Sequence, residues 1–240
     1  MFIDLHCHIL PDVDDGAESF NEAVDIITTA NKSGTTIMVI TPHYNQLNKH
    51  HCYLNKEILT EKYKNFISDA EKIDAKIKFF LGSELFADKN LSELCKNNEI
   101  VSLNASRYVL TEFYFDEKIG NIQSYTDELM SFGYIPIIAH PERYKDISQQ
   151  DYFSLINKGC KFQLNKNSIL GKNGNDIKDL AWWMLNNDFI HVIASDCHNS
   201  TSRNADLSEL YVQLLDQFSP DKINIWLHDN QKRILLDRNI

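Results

Sequence analysis

Residues 3–8, IDLHCH, form a short apolar run that ends in two histidines separated by one residue. The pattern predicts a β-strand over Ile3 to His6. Successive side chains of an extended chain point to opposite faces, so His6 and His8 point one way and Cys7 the other. This strand end therefore presents two imidazoles to one point in space.

Short β-rich runs alternate with longer helical patterns along the rest of the chain. The predicted strands are Ile3 to His6, Thr36 to Thr41, Ile77 to Gly82, Tyr108 to Glu112, Ile135 to His140, Cys160 to Leu164 and His191 to Ser195. The predicted helices are one carrying Ala23, Ile26, Ile27 and Ala30 at helical spacing, then Leu54 to Lys72, Ile122 to Phe132, Tyr152 to Lys158, Asp176 to Asn187 and Asp206 to Phe218. This order predicts an α/β fold with parallel strands joined by helical crossovers. Periodicity leaves open whether seven such units close into a barrel or form an open doubly wound sheet.

The composition predicts one domain over residues 1–240, because 43% hydrophobic content in 240 residues supports a single sizeable core. With 34 acidic against 24 basic residues and a net charge of −10, nucleic-acid binding is disfavoured. No apolar stretch approaches the about 20 residues of a membrane span, and no export signal begins the chain. Five scattered cysteines form no C-x-x-C pair, so we expect a soluble protein of the reducing cytoplasm.

Acidic or imidazole side chains stand at six of the seven predicted strand ends, where parallel α/β folds place their ligands. Each such residue alone is weak support, because a lone strand-end histidine is more often a hydrogen-bonded structural residue. The joint pattern favours divalent transition metals, and about nine ligands imply two or three ions. The candidates are His6, His8, Asp15, His43, Glu84, Glu112, His140, Asp196 and His198. Asp15 is preferred over Asp14 within the acidic loop DVDDG, and His50, His51, His191 and His228 fall outside the pattern.

The sequence resembles polymerase-and-histidinol-phosphatase (PHP) domains, and specifically the bacterial manganese-dependent protein tyrosine phosphatases of capsule and exopolysaccharide loci. The motifs that carry the resemblance are DLHCHILP at 4–11, VDDG at 13–16, TPH at 41–43, GSE at 82–84, EF at 112–113, IAHPERY at 138–144, and IASDCHN at 193–199 with Arg203. The resemblance covers nearly the whole chain. It implies a distorted seven-stranded, TIM-like (β/α)7 barrel, the PHP fold.

The resemblance also implies three metal ions, with manganese expected first and iron or zinc as alternatives. The implied sets are His6, His8, Glu84 and Asp196 for one ion, Glu84, Glu112 and His140 for the second, and Asp15, His43 and His198 for the third. Two arginines of the family, which bind the phosphate, match Arg143 and Arg203; a guanidinium offers a planar fork of donors to phosphate oxygens.

The mechanism that this set supports is attack on phosphorus by a metal-activated water, without a phosphoenzyme. By resemblance, the partner would be the tyrosine-rich tail of an autokinase that drives polysaccharide export. Aromatic side chains beside the strand-end motifs are candidates for the mouth of the site, or for ordinary core packing. They are Tyr44, Phe113, Phe115 and Tyr144.

Four alternatives compete with this hypothesis. Residues 197–203 spell the C-x5-R of cysteine-dependent tyrosine phosphatases, but no glycine lets that loop wrap a phosphate. Metal-dependent hydrolysis of an amide or cyclic ureide expects a carboxylated strand-end lysine, which has no counterpart among these strand ends. A PHP phosphatase of a small phosphomonoester such as histidinol phosphate keeps the fold and changes the substrate. A non-catalytic module, as in polymerase-associated PHP domains, lacks any accompanying polymerase segment.

Overall fold

The computed structural model describes residues 1–45, 54–73 and 76–240. Its strands are β1 (Phe2–Cys7), β2 (Thr35–Ile40), β3 (His43–Tyr44), β4 (Lys78–Leu81), β5 (Glu84–Phe86), β6 (Tyr108–Glu112), β7 (Ile135–Ala139), β8 (Lys161–Asn165) and β9 (Val192–Ala194). Its α-helices are α1 (Phe20–Ser33), α2 (Lys56–Ala70), α3 (Leu91–Lys96), α4 (Ile119–Ser131), α5 (Gln149–Lys158), α6 (Lys166–Ile169), α7 (Asn175–Asn186), α8 (Ser208–Leu215), α9 (Pro220–Asn224) and α10 (Asn230–Leu235). Two 3₁₀ turns (Leu103–Ala105 and Pro141–Arg143) and a π-helical turn (Ile225–Asp229) complete the described elements.

The strands form two parallel sheets, which confirms the predicted α/β class. One sheet has the order β1-β2-β4 and the other β3-β5-β6-β7-β8-β9. An isolated parallel bridge between Cys7 and Cys197 joins the end of β1 to the segment after β9. There the Asp196 N–H donates to the His6 carbonyl (3.0 Å), and the His8 N–H donates to the Cys197 carbonyl (2.9 Å).

All seven predicted strands are present with boundaries that differ by at most one residue, but β3 and β5 were not predicted. They separate from β2 and β4 at Pro42, which has no N–H to donate, and at Gly82. A Cβ at Gly82 would lie 2.7 Å from a methyl carbon of Leu103, so a larger residue there would displace the buried Leu103 side chain. The Glu84 N–H donates to the Pro42 carbonyl (3.0 Å), and this bond links the two interrupted strands.

The helices begin and end where local chemistry satisfies their terminal backbone groups. Ser19 accepts from the Glu22 N–H at the start of α1, and Gly34 ends that helix with a φ of +96°. A capping box between Ser148 and Asp151 starts α5. The four apolar residues predicted for the first helix are buried against the core: Ala23, Ile26, Ile27 and Ala30.

Strand β1 changes face along its length. Leu5 lies in an apolar cluster with Leu110 and Ile137, whereas Cys7, two residues on, lies in the other cluster with Ile26 and Ile27. Strict alternation would keep Leu5 and Cys7 on one side, and the register of β1 against β2 slips between Asp4 and Cys7. This irregularity sets the direction of the side chains at the strand end.

None of the helices in the described residues is long and apolar enough to cross a bilayer.

Candidate metal centre

The nine predicted ligand candidates lie where strands end or are interrupted: His43 and Glu84 begin β3 and β5, which continue β2 and β4, and the other seven lie at strand ends or in the segments that follow them. His6 lies in β1 and His8 just after it, Asp15 in the loop that follows, His43 in β3, Glu84 in β5, Glu112 at the end of β6, His140 after β7, and Asp196 and His198 after β9. The structure brings them into one continuous cluster through contacts of 2.9 to 3.6 Å. Parallel strands deliver these groups from far apart in the chain.

Glu84 is the centre of this cluster and is 1% exposed. Its Oε2 lies 3.2 Å from His6 Nε2, 3.3 Å from His8 Nε2 and 3.0 Å from His43 Nδ1. Its Oε1 lies 2.9 Å from His140 Nε2. Burial alone would raise the pKa of Glu84, but the surrounding imidazoles outweigh burial and hold the pKa well below its ordinary value. The carboxylate is therefore charged and can bridge.

Three overlapping groups within the cluster hold ligand atoms close enough to share a metal ion. They are His6, His8 and Asp196; His43, Glu84 and Glu112; and His8, Asp15, His43 and His198. The second group contains His43, whereas the resemblance implies His140 beside the two glutamates. His140 nevertheless lies near both carboxylates, with its Nε2 3.5 Å from Glu112 Oε1.

The acidic loop separates the roles of its two adjacent aspartates. Asp15 reaches the cluster, because its Oδ1 lies 3.3 Å from both His43 Nε2 and His198 Nε2. Asp14 lies behind His8: its Oδ2 accepts from His8 Nδ1 (2.8 Å) and from the His43 N–H (3.0 Å), and its Oδ1 accepts from the Gly16 N–H (2.9 Å). Gly16 allows this tight loop, since a Cβ there would lie 2.1 Å from the His8 carbonyl oxygen. Asp15 is thus placed as a ligand candidate and Asp14 as a support.

The protonation pattern of His6 and His8 fits a cation between them. A carboxylate and an amide oxygen only accept, so His8 Nδ1 donates to Asp14 and His6 Nδ1 donates to Gln163 Oε1 (2.8 Å). In the neutral rings both Nε2 atoms then carry lone pairs, yet they lie 3.0 Å apart and both face Glu84. Such an arrangement of acceptors suits a divalent metal ion.

The charges of the cluster conflict when only protein groups are considered. Burial lowers the pKa of His8, but the carboxylates of Asp14 and Glu84 together outweigh burial and raise the pKa to about 10. Burial and the charge of His8 lower the pKa of His198 to about 4. Burial and repulsion from Glu84 raise the pKa of Glu112 to about 8, and the buried Glu112 Oε2 has no hydrogen-bond partner. A cation at this point would relieve the repulsion among the carboxylates and give Glu112 Oε2 a partner.

Strand β8 contributes two amides that residue-type reasoning missed. Gln163 orients His6, and Asn165 Nδ2 donates to Asp196 Oδ2 (2.6 Å). Gln163 Nε2 also donates to Asn165 Oδ1 (2.8 Å), so the pair acts as one unit. Its only sequence signal was the i, i+2 spacing of two polar residues in an apolar strand, at the one predicted strand end without an acidic or imidazole group.

Two ligand candidates adopt left-handed backbone conformations, with φ of +35° at His140 and +50° at Asp196. Such conformations are uncommon for residues other than glycine and cost about 1–3 kcal/mol each, and they concentrate at functional sites. His140 directly follows β7, and Asp196 lies two residues after β9. The left-handed turn at each position directs the side chain towards the strand ends.

Arg143 and Arg203 lie on the solvent side of the cluster, where both are partly exposed. Arg203 Nη2 donates to Asp196 Oδ2 (2.9 Å), and Arg143 Nη1 lies 3.9 Å from the same oxygen. Arg203 Nη1 is also 4.0 Å from Asp15 Oδ2. Two guanidinium groups therefore converge above the candidate ligands, at the rim from which a substrate would enter.

The 197–203 loop does not have the form of a thiolate phosphate loop. Cys197 is fully buried, and its backbone forms a parallel bridge with that of Cys7. The loop amides of His198 and Asn199 donate to the Arg203 carbonyl, so these two N–H groups are not free to bind a phosphate. The described cysteines Cys7, Cys95, Cys160 and Cys197 are free and buried.

The residues set aside by the sequence pattern also lie apart from the cluster where they are described. Burial and the charge of Lys161 lower the pKa of His191 to about 4, and His228 pairs with Asp229. His50 and His51 lie outside the described residues.

Of the four aromatic candidates for the mouth, Tyr44, Phe113 and Tyr144 are buried and only Phe115 is exposed.

Buried imidazoles and carboxylates that meet at the strand ends of a parallel α/β fold are typical of metal-dependent enzymes, and this protein has both features. The chain belongs to the capsular polysaccharide synthesis family CpsB/CapC, whose model matches residues 2–236. This assignment agrees with the family that the motifs indicated.

Individual relatives and solved structures show the same likeness over most of the chain. CapC from Staphylococcus aureus is 39% identical over 216 residues, which are 87% of this chain and 82% of CapC. The tyrosine-protein phosphatase YwqE from Bacillus subtilis is 29% identical over 99% of this chain and 93% of its own. A crystal structure from work on YwqE and on CpsB from Streptococcus pneumoniae, described as unique metal-dependent tyrosine phosphatases, matches with a TM-score of 0.88 and 28% identity over 99% of this chain and 96% of that one.

A more distant structure shares the fold alone. The phosphotriesterase from Mycobacterium tuberculosis matches with a TM-score of 0.58 at 9% identity, over 98% of this chain and 93% of that one.

Proposed function

We propose that this protein is a metal-dependent protein-tyrosine-phosphatase, a phosphoric monoester hydrolase that removes phosphate from phosphotyrosine. The observation that carries the proposal is the cluster around Glu84 with Arg143 and Arg203 above it. Phosphoryl transfer needs positive charge around the phosphoryl oxygens, and metal ions held by this cluster would supply it from one side and the two guanidinium groups from the other. Membership of the CpsB/CapC family supports the same activity.

The residues that would hold two or three divalent ions are the nine candidates His6, His8, Asp15, His43, Glu84, Glu112, His140, Asp196 and His198. Mixed imidazole and carboxylate ligands suit manganese, with iron or zinc as alternatives. Bound ions would lower the pKa of an attacking water and screen the charge of the phosphate.

The protein's own groups would bind and orient the substrate. Arg143 and Arg203 would each donate to phosphoryl oxygens and stabilise the charge that develops there. Asp196 holds the Arg203 fork in place through its outer oxygen. Cys197 is buried, so its thiol would not reach the phosphate. Water would instead attack phosphorus, the bond from phosphorus to the tyrosine oxygen would break, and the phenolate would leave with a proton from solvent.

The wider setting follows from the same proposal. We infer that residues 1–240 act as one domain, and that the two sheets, joined by the β2–β3 and β4–β5 continuations and by the bridge at Cys7, form the distorted seven-stranded barrel of PHP proteins. The substrate would be the phosphorylated tyrosine-rich tail of an autokinase of polysaccharide export, met in the cytoplasm.

The experiment is hydrolysis of a phosphotyrosine peptide by purified protein, with chelator and then with added manganese, beside a Cys197→Ser variant. We expect activity that chelator abolishes, manganese restores and Cys197→Ser retains. Activity that survives chelator and is lost with Cys197 would overturn the metal-dependent proposal. Activity on histidinol phosphate without activity on the peptide would favour the small phosphomonoester instead.

A further inference from the structure

The segment after β6 carries an exposed aromatic ring in a fixed position at the rim of the site. Phe115 is 37% exposed and follows the ligand candidate Glu112 by three residues. Its backbone is held, because its carbonyl accepts from the Lys145 N–H (2.9 Å) and the neighbouring Phe113 N–H donates to Tyr144 Oη (3.1 Å). Hydrogen bonds to the segment that follows β7 therefore fix the position of Phe115 at the rim.

The ring of Phe115 contacts both the cluster and one of the two arginines. Its centroid lies 5.8 Å from that of His140, and the Arg143 guanidinium carbon lies 4.3 Å from the Phe115 centroid. At this distance the guanidinium is stabilised against the ring, and its fork is held where it approaches Asp196. The side chains of Arg143 and Arg203, which are partly exposed, and of Asp15, which is exposed, are charged.

A substrate whose phosphate lies between the arginines and the cluster must direct its ester substituent outward past this rim. A flat apolar substituent would meet the exposed part of Phe115, whereas a small or polar alkyl group would leave that ring in water. Aromatic pairs in edge-to-face or offset geometry gain more than their buried area alone provides.

We propose that Phe115 is a specificity-determining residue, which selects aromatic phosphomonoesters by packing against the ring of the leaving group. The inference rests on the proposed function and names the structural basis of its substrate class. One face of Phe115 holds the Arg143 guanidinium, and the exposed edge contacts the substrate ring.

The test compares two non-hydrolysable probes, phenylphosphonate and methylphosphonate, which share a phosphoryl head and differ in the ring. Their dissociation constants are measured by calorimetry on the manganese-loaded protein, so binding is assayed without turnover and separately from the proposed activity. The variants are Phe115→Leu, Phe115→Tyr and the control Phe132→Leu. Phe132 is 42% exposed and follows the end of α4, before β7 begins, at the opposite end of the strands.

We expect wild type to bind phenylphosphonate about tenfold more tightly than methylphosphonate. Phe115→Leu should reduce this ratio about fivefold to tenfold, while Phe115→Tyr and Phe132→Leu preserve it. An unchanged ratio in Phe115→Leu, an equal loss for both probes, or no preference in wild type would each overturn the inference. Absence of phosphatase activity in a protein that shows the ring preference would overturn the proposed function alone.

Discussion

Replacing Asp14 by Asn should weaken metal binding although Asp14 is not itself a ligand candidate. The carboxylate serves three donors: His8 Nδ1 and the His43 N–H at Oδ2, and the Gly16 N–H at Oδ1. An amide keeps one oxygen and replaces the other by an NH₂ group, which cannot accept. In the better orientation the NH₂ group faces Gly16 N–H, and in the worse one it faces both His8 and His43.

The magnitude follows from these contacts. At least one buried donor loses its acceptor, which costs about 1–3 kcal/mol of unfolding free energy. His8 also loses one of the two anions that raise its pKa to about 10, so its Nε2 becomes a weaker electron donor. Loss of such a supporting carboxylate typically weakens metal binding about 10- to 100-fold, or roughly 1.4 to 2.7 kcal/mol.

The assay is competition for Mn²⁺ with a fluorescent chelator, together with urea unfolding of the metal-free protein. Asp12→Asn is the matched control, because Asp12 lies in the same loop, is exposed, and has a φ of +56° that asparagine also tolerates. Wild-type affinity in Asp14→Asn, or an equal loss in Asp12→Asn, would refute the reasoning. Loss of a whole ion from Asp14→Asn but not from Asp15→Asn would show that the roles of the two aspartates are exchanged.

Two further predictions concern β8 and the pH dependence of stability. Gln163→Leu leaves His6 Nδ1 without its acceptor, so metal affinity should fall about 10- to 100-fold. Gln163→Glu should recover part of it, because the carboxylate accepts from His6 but loses the amide donor to Asn165; equal affinities in all three proteins would contradict the role of Gln163. Burial, with the charge of Lys161, lowers the pKa of His191 from 6.5 to about 4. Between pH 6.5 and pH 4 the unfolded chain therefore binds a proton at His191 that the folded protein does not. The wild-type protein should lose up to about 3 kcal/mol of unfolding free energy as the pH falls through this range. Urea unfolding at pH 7 and pH 4 should show a smaller loss in His191→Gln, and parallel losses in the two proteins would count against this assignment.

The sequence predicted the seven main strands because each is an apolar run bounded by turn residues. It did not predict β3 and β5, since two- and three-residue strands carry no periodicity and owe their pairing to the neighbouring strands. The C-terminal helices α9 and α10 were also missed, because their polar residues hide a short buried face that includes Ile223 and Ile234.

The ligand candidates were predictable because chemistry restricts metal ligands to a few residue types and parallel strands collect them at one edge. The order in which they surround the cluster was not, because it depends on turns such as the left-handed backbone at His140 and Asp196. Gln163 and Asn165 were missed since amides in a strand have many ordinary roles, and only the folded structure shows them against His6 and Asp196.

The pairing between the end of β1 and the segment after β9 has a consequence for how this protein is made. His6 is synthesised long before the Asp196 and His198 that complete its surroundings. Contacts across so long a loop are closed late in folding. A nascent or truncated chain that stops before β9 would therefore expose a histidine pair with an incomplete set of neighbours, and tight metal retention would mark a chain that has been finished and folded.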